Sequence, residues 1–216
     1  MEITWYGRSC FRMTERGTLA VVTDPFDEQS TGDTLPRLRA DVVSVSCDLP
    51  DHNRTEAVSA GTRGDVRVVS TPGEYEMGGV FITGASMRNE KLKPGFRSTA
   101  FSFDFDGLRV VHLGGLGFVP SQQQIDALET VDVLIVPIGG GDCLTAAQAA
   151  EVVSLIEPSI VIPMNYSADG TAAKLDNSQK FLKEMGLTEA KPIESLKVTK
   201  NQLPEDTLVV LLDVKR

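Results

Sequence analysis

Histidine is nearly absent. His52 and His112 are the two in 216 residues. A zinc centre needs three or four ligands, so imidazoles alone cannot build one here, and any metal would have to enlist cysteine or carboxylate. Cysteine is scarce as well: Cys10, Cys47 and Cys143 are three, with no C-x-x-C pair. Such a set argues against a disulfide framework and for a reducing compartment, so the expected location is cytoplasmic. No apolar run approaches the ~18 residues of a bilayer span. The start, MEITWYGRSCF, has neither the basic residues nor the apolar stretch of a signal peptide. No membrane partner is expected. Basic charge is outnumbered, 21 Lys and Arg against 30 Asp and Glu, for a net charge of −9. An acidic surface repels phosphate backbones, so no nucleic-acid partner is expected. The densest basic stretch holds Arg88, Lys91, Lys93 and Arg97, but Glu90, Pro94 and Gly95 interrupt it, and it reads as a solvated loop.

Apolar residues make up 41% of the chain. That suffices for a sizeable core, and residues 1–216 read as a single domain without linker, repeat or low-complexity segment. The first half reads as strands at 3–6, 10–14, 19–23, 42–46, 66–70, 80–83, 100–105 and 108–113, punctuated by glycine turns. The second half alternates. Ser121 caps a helix to about Leu128, and Val133–Pro137 is a buried strand. Thr145, with Gln148 at capping-box spacing, opens a helix over 146–156. A strand at 160–163, a helix over 176–185 closed by Gly186, and a last strand at 208–212 follow. Strands and a helix, then strands with alternating helices, favour an α+β or α/β arrangement of two sheets with helices outside.

Ligands gather where strands end in polar loops. In SVSCDLPDHN, residues 44–53, Asp51 and His52 end such a loop. His52 reads either as a ligand or as a plain loop histidine. His112, inside an apolar strand, reads as a hydrogen-bonded strand residue. Cys47 is a candidate ligand, a candidate nucleophile mildly activated by a helix starting near Asn53, or a small buried apolar residue. Cys10 and Cys143 read as structural. The glycine loops at 114–117 and 139–141 lack the Gly-Lys-Ser/Thr of a phosphate loop and read as tight turns. Glu74 and Glu76, flanking Tyr75, read as turn residues.

Seven blocks in order, 3–12 (ITWYGRSCFR), 24–26 (DPF), 42–53, 72–84 (PGEYEMGGVFITG), 108–117 (LRVVHLGGLG), 132–141 (DVLIVPIGGG) and 160–166 (IVIPMNY), resemble a metallo-β-lactamase-fold protein. The resemblance is to the small bacterial group known as metal-dependent, or Zn-dependent, hydrolases of the β-lactamase superfamily. It implies a four-layer αβ/βα sandwich with the site along one edge of two facing sheets. It also implies a ligand pattern His, any, His, any, Asp, His, which here reads Cys47, Asp48, Leu49, Pro50, Asp51, His52. Further ligand positions of that family fall at Asn89, Gly115 and Asn165. Its early histidine falls at Arg8, and a position often histidine falls at Phe118. Of seven ligand positions, Asp51 and His52 keep the residues of that pattern.

The resemblance therefore implies a degenerate metal site. Hydrolysis in this family needs an ion that lowers the pKa of bound water from ~16 to about 7, and Asp51 with His52 would hold one weakly. No metal is expected, and the first reading is a pseudoenzyme binding a small molecule or protein partner. The alternative is a hydrolase with a non-standard site. It would use Cys47, Asp51 and His52 with zinc or manganese, or Cys47 as nucleophile and His52 as base without metal. A homo-oligomer is left open.

Overall fold

The computed structural model describes residues 1–88, 94–169 and 171–216. Among these residues two large sheets face each other. The first has six strands in the order Leu196–Lys197, Glu2–Trp5, Phe11–Thr14, Ala20–Thr23, Val42–Ser44 and Arg67–Val69. The second has seven, Leu208–Val209, Ile160–Met164, Val133–Pro137, Leu108–His112, Ser98–Phe105, Val80–Met87 and Gly73–Met77. Alternating residues decide which face is buried. Ile3, Trp5, Phe11 and Met13 of the first sheet share one apolar cluster with Phe101, Phe103, Val110 and Leu134 of the second. Val133–Pro137 and Ile160–Met164 are fully buried runs joined in parallel, as strands covered on both faces must be.

The outer faces are covered unequally. Ala146–Ile156 and Ser178–Glu184 put Ala149, Val152, Val153, Phe181 and Leu182 into the shared core. Thr145 caps the first of these helices in a capping box with Gln148, as its spacing predicts. The first sheet's outer face is packed by Phe26 and by a two-stranded ribbon, Leu38–Ala40 with Val58–Ala60. The sequence reading missed that ribbon, because three-residue strands leave almost no periodic signal. Two more expectations change. Gly73–Met77 is a strand hairpinned to Val80–Met87 through Gly78 and Gly79, both at positive φ, so the alternation around Tyr75 is strand period rather than turn. After the 47–53 loop comes only a 3-10 turn, Thr55–Ala57, so no α-helix dipole is available to Cys47. No helix is long and apolar enough to cross a membrane among the described residues.

Candidate active site

The site forms where three loops meet at one edge of the facing sheets. Asp24 ends strand Ala20–Thr23, and its amide donates to the Ser44 carbonyl at 2.8 Å, which pins it beside the next strand. Its buried carboxylate takes three donors: the Ser46 amide at 2.7 Å, the Ser46 hydroxyl at 2.6 Å, and His52 Nδ1 at 2.8 Å. Since a carboxylate only accepts, Nδ1 carries its hydrogen, and Nε2 is the nitrogen turned toward Cys47. The 47–54 loop is held in place by main-chain bonds. Asp27 N–H donates to Pro50 O and Arg54 N–H to Pro25 O, each at 2.8 Å.

The HLGG loop closes over this network. Gly115 N–H donates to Ser46 Oγ at 3.2 Å. A β-carbon on Gly114 would lie 2.1 Å from that of Ser46, so only glycine fits there, and its φ of 58° suits glycine as well. A β-carbon on Gly115 would sit 3.1 Å from Cys47 Sγ and 3.3 Å from His52 Nε2. Thiol and imidazole thus converge on one point above Gly115. Asp51 Oδ2 approaches Nε2 from outside at 3.6 Å.

The electrostatics follow from burial and partners. Burial alone would push the Asp24 carboxyl up. The His52 charge and hydrogen bond, with His112 and Ser46, outweigh it and hold Asp24 below the usual range. Burial alone would likewise pull His52 down, but the Asp24 charge and hydrogen bond, aided by Cys47, hold the imidazole well above its ordinary value. His112 goes the other way. Burial lowers it, partly offset by Asp24. Its Nδ1 accepts from Gly114 N–H at 3.2 Å while Nε2 donates to the Ser9 carbonyl at 2.9 Å. That pattern fixes the neutral tautomer, so its 4.0 Å approach to Asp24 is not an ion pair.

The other predicted site residues divide. Leu49 lies at the surface, 37% exposed. Asn89 lies outside the described residues. Arg8 turns away to Asp33 and the Thr31 carbonyl, while its own carbonyl accepts from Asn165 N–H. Phe118 is a core residue. Asn165, at φ 50°, points Nδ2 at Cys143 Sγ, 3.0 Å away, and leaves Oδ1 buried without a partner among the described residues. Cys143, read from sequence as merely structural, lies within the electrostatic reach of Cys47, Asp51 and His52. Burial, opposed by His52 and the Asn165 hydrogen bond, pushes its thiol up to about 11. Sequence reasoning also missed Asp24. The DPF block marked its position, but nothing local reported the contact with His52.

A model of the beta-lactamase superfamily domain matches residues 2–165. The chain belongs to the beta-lactamase superfamily. A UPF0173 protein of Pyrococcus furiosus is 28% identical over 207 residues, covering 86% of this chain and 90% of that protein. A UPF0173 metal-dependent hydrolase of Natranaerobius thermophilus is 26% identical over 219 residues, covering 86% of this chain and 97% of that protein. Among solved structures, a Zn-dependent hydrolase of the metallo-beta-lactamase superfamily from Thermotoga maritima superposes with a TM-score of 0.79 and 31% identity, over 98% of this chain and 97% of that one. The expected fold is therefore the observed one. The relatives are archaeal as well as bacterial, which removes the expected restriction to bacteria.

The relatives' names raise the question of a metal, and the residues present do not fit one. The space where a ligand on residue 115 would reach is closed by Cys47 Sγ and His52 Nε2. His52 Nδ1 donates to Asp24, so Nε2 is the one nitrogen this ring could offer an ion. Among the described residues no group of three or more His, Cys, Asp or Glu side chains is arranged to hold an ion.

Proposed function

We propose that the chain is a hydrolase of the beta-lactamase superfamily working from a non-standard site centred on Cys47 and His52, with Asp24 as positioning residue. One observation carries this reading: a thiol and an imidazole nitrogen converge above Gly115, and a buried carboxylate 2.8 Å from the other nitrogen fixes the ring. A nucleophile, a base and a group that orients the base are the parts a covalent acyl transfer needs. The relatives named hydrolases favour this reading over a binding protein without activity.

The chemistry runs as follows. Above the raised value of His52, where Nε2 is unprotonated, Cys47 Sγ attacks the carbonyl carbon of an ester or thioester and forms an S–C bond, while its proton passes to Nε2. The Asp24 charge stabilises the imidazolium. The C–O or C–S bond to the leaving group breaks as His52 returns the proton to it. Water then attacks the acyl-thioester with His52 as base, releasing the acid and restoring the thiol.

Incubation with p-nitrophenyl acetate followed by intact-mass and peptide mass spectrometry tests this. An acetyl adduct on Cys47, absent from Cys47→Ala, is expected, and ester turnover unchanged in that variant would falsify the route. The relatives are named metal-dependent, so the poor fit of Cys47, Asp51 and His52 to an ion is tested as well. Elemental analysis after incubation with zinc or manganese is expected to find none tightly held. One ion per chain, lost in Cys47→Ala, would overturn the metal-free route.

A further inference from the structure

A cleft of about 600 Å³ opens beside Cys47, well within the range of small-molecule sites, roughly 300–1,000 Å³. Cys47 lies on one wall, and Arg88 and Arg97 bound it. These are the two ends of the basic stretch that the sequence suggests is only a solvated loop. Among the described residues one carboxylate, Asp48, also lines the cleft, and the Asn53 amide holds it at 2.7 Å. Two guanidiniums on one cleft are conspicuous in a chain of net charge −9.

A second observation at the same place points to a ligand. Ser98 lines the cleft at 2% exposure, and among the described residues its hydroxyl has no hydrogen-bond partner. A buried hydroxyl left unpaired costs stability, and a site that binds an acceptor recovers it on binding. Ser98 begins strand Ser98–Phe105, and Thr99 N–H, next along, donates to the Ser46 carbonyl at 2.8 Å. The cleft wall is therefore tied by main chain to the residue preceding Cys47.

We propose that this cleft binds the anionic part of the substrate, a carboxylate or phosphate carried by the acyl group, while the scissile carbonyl lies at Cys47. Arg97 and Arg88 hold the anion through charged hydrogen bonds, with the Ser98 hydroxyl donating. The substrate class is then a small acidic ester or thioester. This assignment rests on the hydrolase reading for the reaction, but anion binding stands by itself.

The two are tested apart. Titration calorimetry on Cys47→Ala measures binding of glutarate and of inorganic phosphate without turnover. Binding of either is expected, which of the two binds tells carboxylate from phosphate, and Arg97→Gln is expected to weaken it about tenfold. Arg97→Lys, expected to recover part of the affinity, guards against a folding defect in the glutamine variant. Absence of binding by both anions, or binding unmoved in Arg97→Gln and Arg88→Gln alike, overturns the anion site. For turnover, the preference of the unmodified protein for mono-p-nitrophenyl glutarate over p-nitrophenyl butyrate is compared with that of Arg97→Gln. A preference that falls about tenfold through KM supports the assignment, and an unchanged preference overturns it. Anion binding without hydrolysis of any ester sinks the hydrolase reading and leaves the anion site standing.

Discussion

His52 Nδ1 stands 2.8 Å from Asp24 Oδ2, both side chains buried, though 28 residues separate them in sequence. Asp24 takes all its donors from Ser46 and His52, so an amide in its place would face one of them with hydrogens. Removing one partner of a buried ion pair costs about 3–5 kcal/mol. Asp24→Asn is expected near the lower end, read as a urea midpoint shift, together with loss of Cys47 acylation.

Stability should depend on pH in a specified way. His52 is raised in the folded protein, so its contribution is fully present below its ordinary value of 6.5 and is lost as pH rises through the raised one. Asp24 is lowered, so its contribution is present above 3.8 and is lost as pH falls through the lowered value. His112 adds to the acid-side loss, because it is buried neutral and must charge below 6.5. Denaturant midpoints should therefore fall toward both acid and alkali from a maximum between those values. His52→Gln should abolish the alkaline fall, and a fall that persists would show that another group causes it.

The three thiols should be unequal toward iodoacetamide. Burial holds Cys10 well above its ordinary value and Cys143 at about 11, so both carry little thiolate near neutrality. Cys47 lies on the cleft beside an imidazole. Peptide mapping of briefly labelled protein at neutral pH should find Cys47 modified first, and His52→Gln should slow that labelling about tenfold. Equal labelling of all three would count against an activated Cys47.

The adjacent glycines should differ in what they tolerate. Gly114→Ala meets Ser46 at 2.1 Å in a left-handed backbone and is expected to cost about 3 kcal/mol or more, seen as loss of folded protein. Gly115→Ala makes tight contacts, 3.1 and 3.3 Å, with side chains that can shift. It should cost about 1 kcal/mol in melting experiments and slow Cys47 more than it destabilises the fold.

Much of this was legible in the chain. The capping box at Thr145, the buried runs at 133–137 and 160–164 and the ordered motif blocks are local signals, and local signals survive in a sequence. Asp24 in its role, Cys143 beside Asn165 and Arg97 on the cleft were not, because each acts through partners from distant strands. The loop at 47–53 suggested two surviving ligands. The fold adds that the Nδ1 side of His52 is held by Asp24, a carboxylate no ligand pattern marked. The helix expected near Asn53 is instead the 3-10 turn Thr55–Ala57.

The fit between Gly115, Cys47 and His52 also restricts how this protein can change. A carboxylate placed at position 115 would be driven into sulfur and imidazole that already lie 3.1 and 3.3 Å from its β-carbon. A single ligating substitution at 115 would therefore first damage the packing at this point. Laboratory selection for metal-dependent activity should therefore yield paired substitutions at 47 and 115, not either one alone.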